Sequence, residues 1–150
     1  MIFREATIAD IPGLQRVRAA VKENVLNNPG LVTTADYVQY LTISGKGWLC
    51  ESAGLIVGFA IVDTGSHNIW ALFVDPHTEA RGIGRELQRL MLSWYFSTYP
   101  GPLWLGTAPG TRAEYFYTRS GWKNAGLMKN GELRFEMDRA TWLSLQNTLS

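Results

Sequence analysis

The sequence is poor in the residues that build disulfide frameworks and metal centres. Its 150 residues include one cysteine, Cys50, and two histidines, His67 and His77. A single cysteine excludes an intrachain disulfide and a cysteine-rich metal site. A zinc site built on the two histidines would have to borrow carboxylates. We therefore expect no metal.

Charge is also sparse and nearly balanced. Lys and Arg number 14 against 13 Asp and Glu, so the formal net charge is +1. Nucleic-acid-binding domains usually carry a basic excess, so the balance predicts no nucleic-acid partner. No apolar run reaches the roughly 18 residues of a membrane span. Arg4 and Glu5 stand where a signal peptide needs an apolar stretch. These features predict a cytoplasmic protein without membrane association.

The composition is that of a globular chain. Hydrophobic residues make up 46% of the sequence and charged residues 18%. No internal repeat, low-complexity segment or linker divides it. We predict a single domain over residues 1–150.

Hydrophobic periodicity predicts an alternation of helices and strands. The clearest helix runs from Gly82 to about Thr98, where apolar residues recur at helical spacing. Short-looped strands from Trp48 to Val74 predict an antiparallel meander, and the strand–helix–strand step from Ile69 to Thr107 predicts parallel neighbours. The predicted order is βααβββαβαββ with a C-terminal helix. This is an α/β (α+β) fold with a mixed, mostly antiparallel central sheet flanked by helices.

Local signals mark several element ends. Thr7 and Asp10 have the spacing of a capping box, and so have Thr33 and Asp36. Gly45 and Gly47 are interpreted as the end of the second helical region. Asn130-Gly131 predicts a two-residue hairpin turn.

The most informative segment runs from Val74 to Arg85, where a strand ends and a long helix begins at Gly82 and Gly84. Glycine lets the main chain approach a ligand, and amides at a helix N-terminus attract anions, so the segment predicts phosphate or pyrophosphate binding. A dinucleotide fingerprint would place a third glycine where Leu87 stands, and the Gly-Lys-Ser/Thr of a P-loop is absent. The alternative is that the glycines merely turn the chain into the helix.

A second stretch, from Pro109 to Trp122, reads by itself as an ordinary packed helix face. Together, in this order and at this separation, the two stretches resemble the motifs of the GNAT superfamily of acetyl-CoA-dependent N-acetyltransferases. The first motif aligns as Val74-Asp75-Pro76 and Glu79-Ala80-Arg81-Gly82-Ile83-Gly84. The second aligns as Gly110-x-x-Ala113-x-x-Phe116-Tyr117 followed by Gly121-Trp122.

This resemblance implies direct transfer of an acetyl group from acetyl-CoA to a primary amine of a small-molecule or amino-acid-like acceptor, by a route that needs no metal. A main-chain amide near Phe73 and Val74 would hold the carbonyl oxygen, and Tyr117 stands at the family's general-acid position. The implied coenzyme A site comprises Phe73, Val74, Glu79, Ala80, Arg81, Gly82, Ile83, Gly84, Arg85, Thr107 and Tyr117.

Two positions depart from the family pattern. Glu79 stands where Arg or Gln is usual, and its carboxylate must point away from a pyrophosphate unless Arg81 and Arg85 compensate. Gly110 replaces an Asn that contacts the pantetheine arm in the family. Thr107 and the Pro109-Gly110 turn are the candidates to replace that contact.

The base that deprotonates the amine is left open by the sequence. Family members often carry a Glu on the fourth strand, but residues 69–72 include none. Glu23 is our candidate for the general base, and a water relay is an equal alternative. Three other residues could also serve, but we interpret each as a solvated surface group: Asp63, His67 and Asp75.

The acceptor pocket is predicted to lie between the first two helices. Glu23, Asn24 and Tyr37 are its predicted substrate-binding residues, with Tyr40 as a further lining candidate. Trp48, Trp70 and Trp104 are interpreted as sheet core.

Two other functions remain open. The first is a non-catalytic acyl-CoA-binding module, which is consistent with Glu79, with Gly110 and with the lack of a Glu at residues 69–72. The acceptor could also be a protein N-terminus or lysine, or the acyl group a longer one. The resemblance suggests a homodimer. Since a net charge of +1 supplies no global attraction for anionic coenzyme A, the positive potential must be local, at the helix start beside Arg81 and Arg85.

Overall fold

A computed structural model of the protein describes residues 1–21, 32–78 and 81–149. The elements follow the predicted order. They are β1 (Ile2–Glu5), α1 (Ile11–Ala20), α2 (Thr34–Thr42), β2 (Gly45–Ser52), β3 (Leu55–Asp63), β4 (Asn68–Val74), α3 (Ile83–Thr98), β5 (Leu103–Thr107), α4 (Arg112–Arg119), β6 (Lys123–Leu127), β7 (Leu133–Met137) and α5 (Arg139–Leu149). No helix in these ranges has the length and apolar character needed to cross a bilayer.

The strands form one sheet in the spatial order β1-β2-β3-β4-β5-β7-β6. Every neighbouring pair is antiparallel except β4 and β5, which run parallel on either side of the α3 crossover. The prediction of a mixed, mostly antiparallel sheet is therefore confirmed.

Two local predictions were wrong in detail. Gly45 and Gly47 do not end a helical region but lie inside β2, paired with Asp63 and Ile61. A Cβ at Gly45 would collide with main-chain oxygens of β3 and α2, so this close approach requires glycine.

The β6–β7 hairpin has a longer loop than the predicted two residues. Met128 N donates to Glu132 O at 2.7 Å, and Gly131 N donates to Met128 O at 3.0 Å. Gly131 has φ +89°. Three residues therefore lie between the hydrogen-bonded Met128 and Glu132, and the glycine occupies the left-handed position that such a loop requires.

The sheet separates two apolar layers. On one face α1 and α2 pack against it, burying Ile11, Leu14, Val17 and Tyr37 against Leu49, Phe59, Ile61 and Ala71. On the other face α3, α4 and α5 cover a larger cluster that contains Leu87, Met91, Tyr95, Leu103, Leu105, Tyr117, Trp122 and Trp142. Because strand side chains alternate between faces, the α1/α2 face and the α3 face receive different residues of each strand.

The first strand is held to its neighbours by charge. Arg4 Nη2 lies 2.8 Å from Asp10 Oδ1, and Arg4 Nε donates to Glu51 Oε1 at 2.8 Å. Asp10 Oδ2 also accepts from the main-chain N of Thr7 at 2.8 Å, as the capping-box spacing predicted. These hydrogen bonds, led by that from Arg4, lower the pKa of Asp10 from 3.8 to about 2.

We predict that Asp10→Asn destabilises the protein at neutral pH. The folded-state pKa of Asp10 is depressed, so its contribution to stability is present above about pH 4 and is lost as the pH falls to about 2. Because Arg4 is partly exposed, the expected loss at pH 7 is only about 1 kcal/mol. Urea unfolding at pH 7 and pH 2 measures it. The control, Glu5→Gln, alters an exposed pair with Lys46 and should change stability little. An equal Asp10→Asn deficit at both pH values would contradict the prediction.

The position of α3 depends on Gly58 in β3. A Cβ there would lie 3.0 Å from Ile83 Cγ2 and 3.2 Å from Leu87 Cδ1. We predict that Gly58→Ala lowers the free energy of unfolding by about 1–3 kcal/mol, because the helix must move or repack. A Cβ at Gly84 would make ordinary contacts, 3.5 Å from Val74 Cγ2. Gly84→Ala is therefore the matched control, and equal denaturation midpoints for the two variants would refute the argument.

Candidate active site

β4 and β5 meet only where they begin. Their register is the single pair Asn68 and Trp104, and Trp104 N donates to His67 O at 3.1 Å. Beyond this pair a cleft of about 410 Å³ opens, lined by residues of both strands. The parted strands leave main-chain groups that no neighbouring strand satisfies, and a ligand that enters the cleft can bond to them.

A β-bulge in β4 accompanies the cleft. Ile61 pairs with Ala71 and Val62 with Ile69, so Trp70 is the extra residue of β4. A bulge bends a strand and changes the direction of a side chain. Here the Trp70 ring turns toward α2.

The Trp70 ring packs against two tyrosines of α2. Its centroid lies 5.1 Å from that of Tyr37 and 4.8 Å from that of Tyr40. Tyr37, a predicted substrate-binding residue, is 1% exposed and packs in the α1/α2 layer behind Trp70. Burial is the main cause that raises its pKa. Trp70, and not Tyr37, is the residue of this cluster that lines the cleft.

The hydrogen-bond ladder decides which amides of β4 face the cleft. Asp75 N donates to Val57 O at 2.8 Å, and Phe73 lies opposite Phe59. Only alternate residues of an antiparallel strand bond to a given neighbour, so the amides of Phe73 and Asp75 point toward β3. The amide of Val74, between them, points away from β3 toward the side where β5 has parted.

Tyr117 of α4 is buried at the edge of the cleft. Its side chain is 6% exposed, and its ring lies 5.6 Å from Trp122 and 6.2 Å from Phe135. It lines the cleft together with Ala113 of the same helix. Burial raises the pKa of the Tyr117 phenol well above 10, so the hydroxyl keeps its proton at neutral pH.

Two buried polar atoms at the cleft have no hydrogen-bond partner in the described part of the chain. They are Thr107 Oγ1, in a residue that is 2% exposed, and Asn68 Oδ1. Both residues line the cleft. Burying a polar group without a partner is costly, so these atoms are poised to bond a ligand.

The beginning of α3 has the form that the glycine motif predicted. Gly82 is the N-cap with φ +78°, and no side chain caps the helix. Ile83 is buried, whereas Arg81 and Arg85 are exposed. The first amides of a sixteen-residue helix are therefore flanked in the sequence by two exposed cations, and both features favour an anion. Glu79 and Ala80, also predicted for this site, lie outside the described residues.

Gly110 begins the turn before α4, in place of the family's Asn. It has φ +75°, and its N donates to Glu114 Oε1 at 2.7 Å. Thr111 Oγ1 caps the helix by accepting from Glu114 N at 3.3 Å. The turn is thus tied to its own helix.

The three rival bases are held by local hydrogen bonds. Asp63 is buried, not solvated as predicted, because its Oδ1 accepts from the amides of Gly65 and Ser66 at 2.8 and 3.1 Å. His67 Nδ1 lies 2.8 Å from the hydroxyl oxygen of Tyr95. Asp75 Oδ1 accepts from the amide of His77 at 2.9 Å. Glu23 and Asn24 lie outside the described residues.

The interpretation of the three strand tryptophans as core is confirmed for Trp48, is wrong for Trp104, and is incomplete for Trp70, which packs against the α1/α2 layer and also lines the cleft. Trp48 is buried against Trp94. Trp70 and Trp104 both line the cleft. Trp104 donates from Nε1 to Ser66 O at 3.0 Å, and the Arg134 guanidinium lies 4.4 Å from its ring centroid.

Sequence reasoning missed two charged residues that line the cleft, Arg18 of α1 and Glu132 of the β6–β7 hairpin. Arg18 was indistinguishable from any polar residue on an amphipathic helix. Glu132 follows a turn motif that specifies a loop but no chemistry. Only the pairing of β5 with β7 brings Glu132 to the cleft.

The sequence profile of the acetyltransferase (GNAT) family matches residues 20–122. This match covers more than half of the chain, which therefore belongs to the acetyltransferase (GNAT) family. Its members are acyltransferases whose general acyl donor is acetyl-CoA.

Solved structures share the fold over nearly their whole length. A ribosomal-protein-alanine N-acetyltransferase from Brucella melitensis is 24% identical with a TM-score of 0.74, over 92% of this chain and 99% of that one. An N-acetyltransferase from Staphylococcus aureus is 17% identical with a TM-score of 0.75, over 92% and 98%. The PaiA N-acetyltransferase from Thermoplasma acidophilum, in complex with coenzyme A, is 12% identical with a TM-score of 0.74, over 91% and 98%. No curated protein matches the sequence.

The burial of Tyr117 is testable by spectroscopic titration. We predict that Tyr117→Phe leaves the phenolate absorbance change between pH 8 and pH 11 unaltered, because the raised pKa keeps this phenol neutral throughout. Circular dichroism at pH 11 verifies that the fold persists. A smaller absorbance change for folded Tyr117→Phe would show that Tyr117 ionises normally.

Proposed function

We propose that this protein is an acetyl-CoA-dependent N-acetyltransferase that transfers the acetyl group by direct attack of a primary amine of a small molecule. The observation that carries the proposal is the cleft between β4 and β5, with its main-chain groups and buried Tyr117. Family membership indicates acyl transfer as the reaction class. The cleft contains groups suited to binding the thioester carbonyl and to protonating the leaving thiolate.

The residues present fit coenzyme A. The uncapped start of α3, with Arg81 and Arg85 exposed beside it, is suited to the anionic pyrophosphate. Thr107 Oγ1 needs a hydrogen-bond partner and is suited to an amide of the pantetheine arm, the contact that Gly110 cannot make with a side chain. Bound acetyl-CoA would supply the activated thioester.

The Val74 amide is the donor we assign to the thioester carbonyl oxygen. It points away from β3, as the register of β4 requires. Negative charge grows on this oxygen as the amine attacks, and a fixed amide stabilises it without having to reorient. A single donor of this kind contributes a few kcal/mol to transition-state stabilisation.

Tyr117 is the group we assign to the departing thiolate. Burial keeps its phenol protonated, so the hydroxyl is ready to donate. Its ring is fixed among Phe116, Trp122 and Phe135, so the direction of the O–H bond is restricted.

Deprotonation of the amine is assigned to Glu23 or to a water relay. Asp63 and Asp75 accept main-chain hydrogen bonds that stabilise their own turns, and His67 bonds to Tyr95. These local roles make the three rivals weaker candidates than they were from sequence alone.

Binding of acetyl-CoA is the first test. A ligand at 100 times its Kd stabilises a protein by about 2.7 kcal/mol, which in a domain of this size raises Tm by on the order of 5–10 °C. Arg81→Glu combined with Arg85→Glu should raise the Kd roughly thirtyfold, since each reversal costs about 1 kcal/mol at a surface. Lys123→Glu, a charge reversal on the exposed edge strand β6, is the control. Absence of any wild-type shift with saturating acetyl-CoA would overturn the proposal.

Catalysis by Tyr117 is the second test. Tyr117→Phe should lower kcat for thiol release about a hundredfold, as expected for loss of a general acid, while acetyl-CoA binding persists. Tyr115→Phe on the exposed side of α4 should retain full activity. Equal rates for Tyr117→Phe and the wild type would remove Tyr117 from the mechanism. Acetyl-CoA binding without thiol release on any amine, including peptide N-termini and lysine, would favour a non-catalytic binding module.

A further inference from the structure

Glu132 places a buried carboxylate in the cleft. The residue is 8% exposed, and its Oε1 accepts from Asn130 Nδ2 at 3.1 Å. A Cβ at Gly106 of β5 would lie 2.9 Å from Glu132 Oε1, so the carboxylate occupies the space above this glycine. No Lys, Arg or His in the described ranges forms an ion pair with it.

Arg18 supplies a cation to the same cleft. Its guanidinium carbon lies 4.5 Å from the Phe73 ring centroid, which places it over β4. Its Nε is buried without a hydrogen-bond partner, and within residues 1–21, 32–78 and 81–149 no carboxylate pairs with it. A guanidinium in such a position carries charge that a ligand can neutralise.

Both groups lie on the α1/α2 face of the sheet, one on each side of the gap. Phe73, beneath Arg18, packs against the α1/α2 layer. Leu103 and Leu105 of β5 belong to the opposite layer, so the alternation of β5 directs Gly106 to the α1/α2 face. Arg18 therefore stands over β4 and Glu132 over β5, with the cleft between them.

Apolar side chains also line the cleft. Trp70 and Trp104 line the same cleft, together with Val32 and Met128. An occupant that matches this arrangement has a cationic end, an anionic end and an apolar body.

We infer that the acceptor is an amino acid with an apolar side chain, whose ammonium group is held by Glu132 and whose carboxylate is held by Arg18. The assignment rests on the proposed function, because it names the acceptor of that same site. Two unpaired, partly desolvated charges of opposite sign are each costly, and a zwitterion satisfies both at once. An amine without an anion would leave Arg18 unpaired.

The test compares amino acids with the amines that differ from them only by the carboxylate. L-Leucine, L-phenylalanine and L-tryptophan are assayed by thiol release beside isoamylamine, phenethylamine and tryptamine. The expected wild-type kcat/KM is at least about tenfold higher for the amino acid of each pair, the size of effect that one charge-assisted hydrogen bond supplies.

Variants of the two charged residues separate their contributions. Arg18→Gln should abolish the preference for the carboxylate while changing kcat/KM for the decarboxylated amine by less than about twofold. Glu132→Gln should lower kcat/KM at least about tenfold for both members of a pair while the KM for acetyl-CoA is unchanged, and Glu132→Asp should restore part of the loss. The matched controls are Arg16→Gln on α1 and Glu136→Gln on β7, which alter charges bonded elsewhere.

Failure of this assignment is distinguishable from failure of the proposed function. Thiol release that is equal for amino acids and their decarboxylated partners, or highest with peptide N-termini, overturns the zwitterion site and leaves the acetyltransferase standing. The thermal shift produced by each acceptor alone tests the site even without catalysis. We expect the amino acids to raise Tm in the wild type but not in Arg18→Gln, and equal shifts for phenethylamine and L-phenylalanine would refute the inference.

Discussion

The chemistry available to this chain depends on the parting of β4 from β5 after the single pair of Asn68 and Trp104. Two constraints stabilise that parting. The bulge at Trp70 bends β4, and the Trp70 ring is held by the tyrosines of α2. The main-chain groups released from β5 remain beside a cleft, where a ligand can supply the hydrogen bonds that β5 does not make.

The two faces of the sheet carry different parts of the candidate site. The α3 side carries the uncapped helix start and the exposed cations suited to an anionic donor. The α1/α2 side carries Arg18 over β4 and Glu132 over β5, and the rings of Trp70 and Trp104 line the same cleft. Tyr117 lies buried at the cleft from a third element, α4. A donor and an acceptor approaching from opposite faces would meet in the gap, where the Val74 amide points away from β3.

Sequence reasoning predicted the fold well because its determinants are local. Periodicity specifies α3, capping-box spacing specifies the start of α2, and short loops specify the β2–β4 meander. The helix start at Gly82 was predictable because a contiguous motif specifies it. The site was not predictable where the contributing residues are distant in sequence. Arg18 and Glu132 are separated by most of the chain, and neither stands in a motif.

The sequence by itself determined the order of elements, the family, the glycine turn into α3 and the presence of a tyrosine at position 117. Each follows from neighbouring residues. Tertiary structure alone decided that Trp70 faces the cleft while Trp48 is core, that Asp63 is buried, and that Glu132 lies above Gly106. The register of a strand decides which face of the sheet each side chain occupies. A single bulge changes the face of a side chain, and a missing Cβ makes room for a distant one, but neither effect can be recognised from the neighbouring sequence.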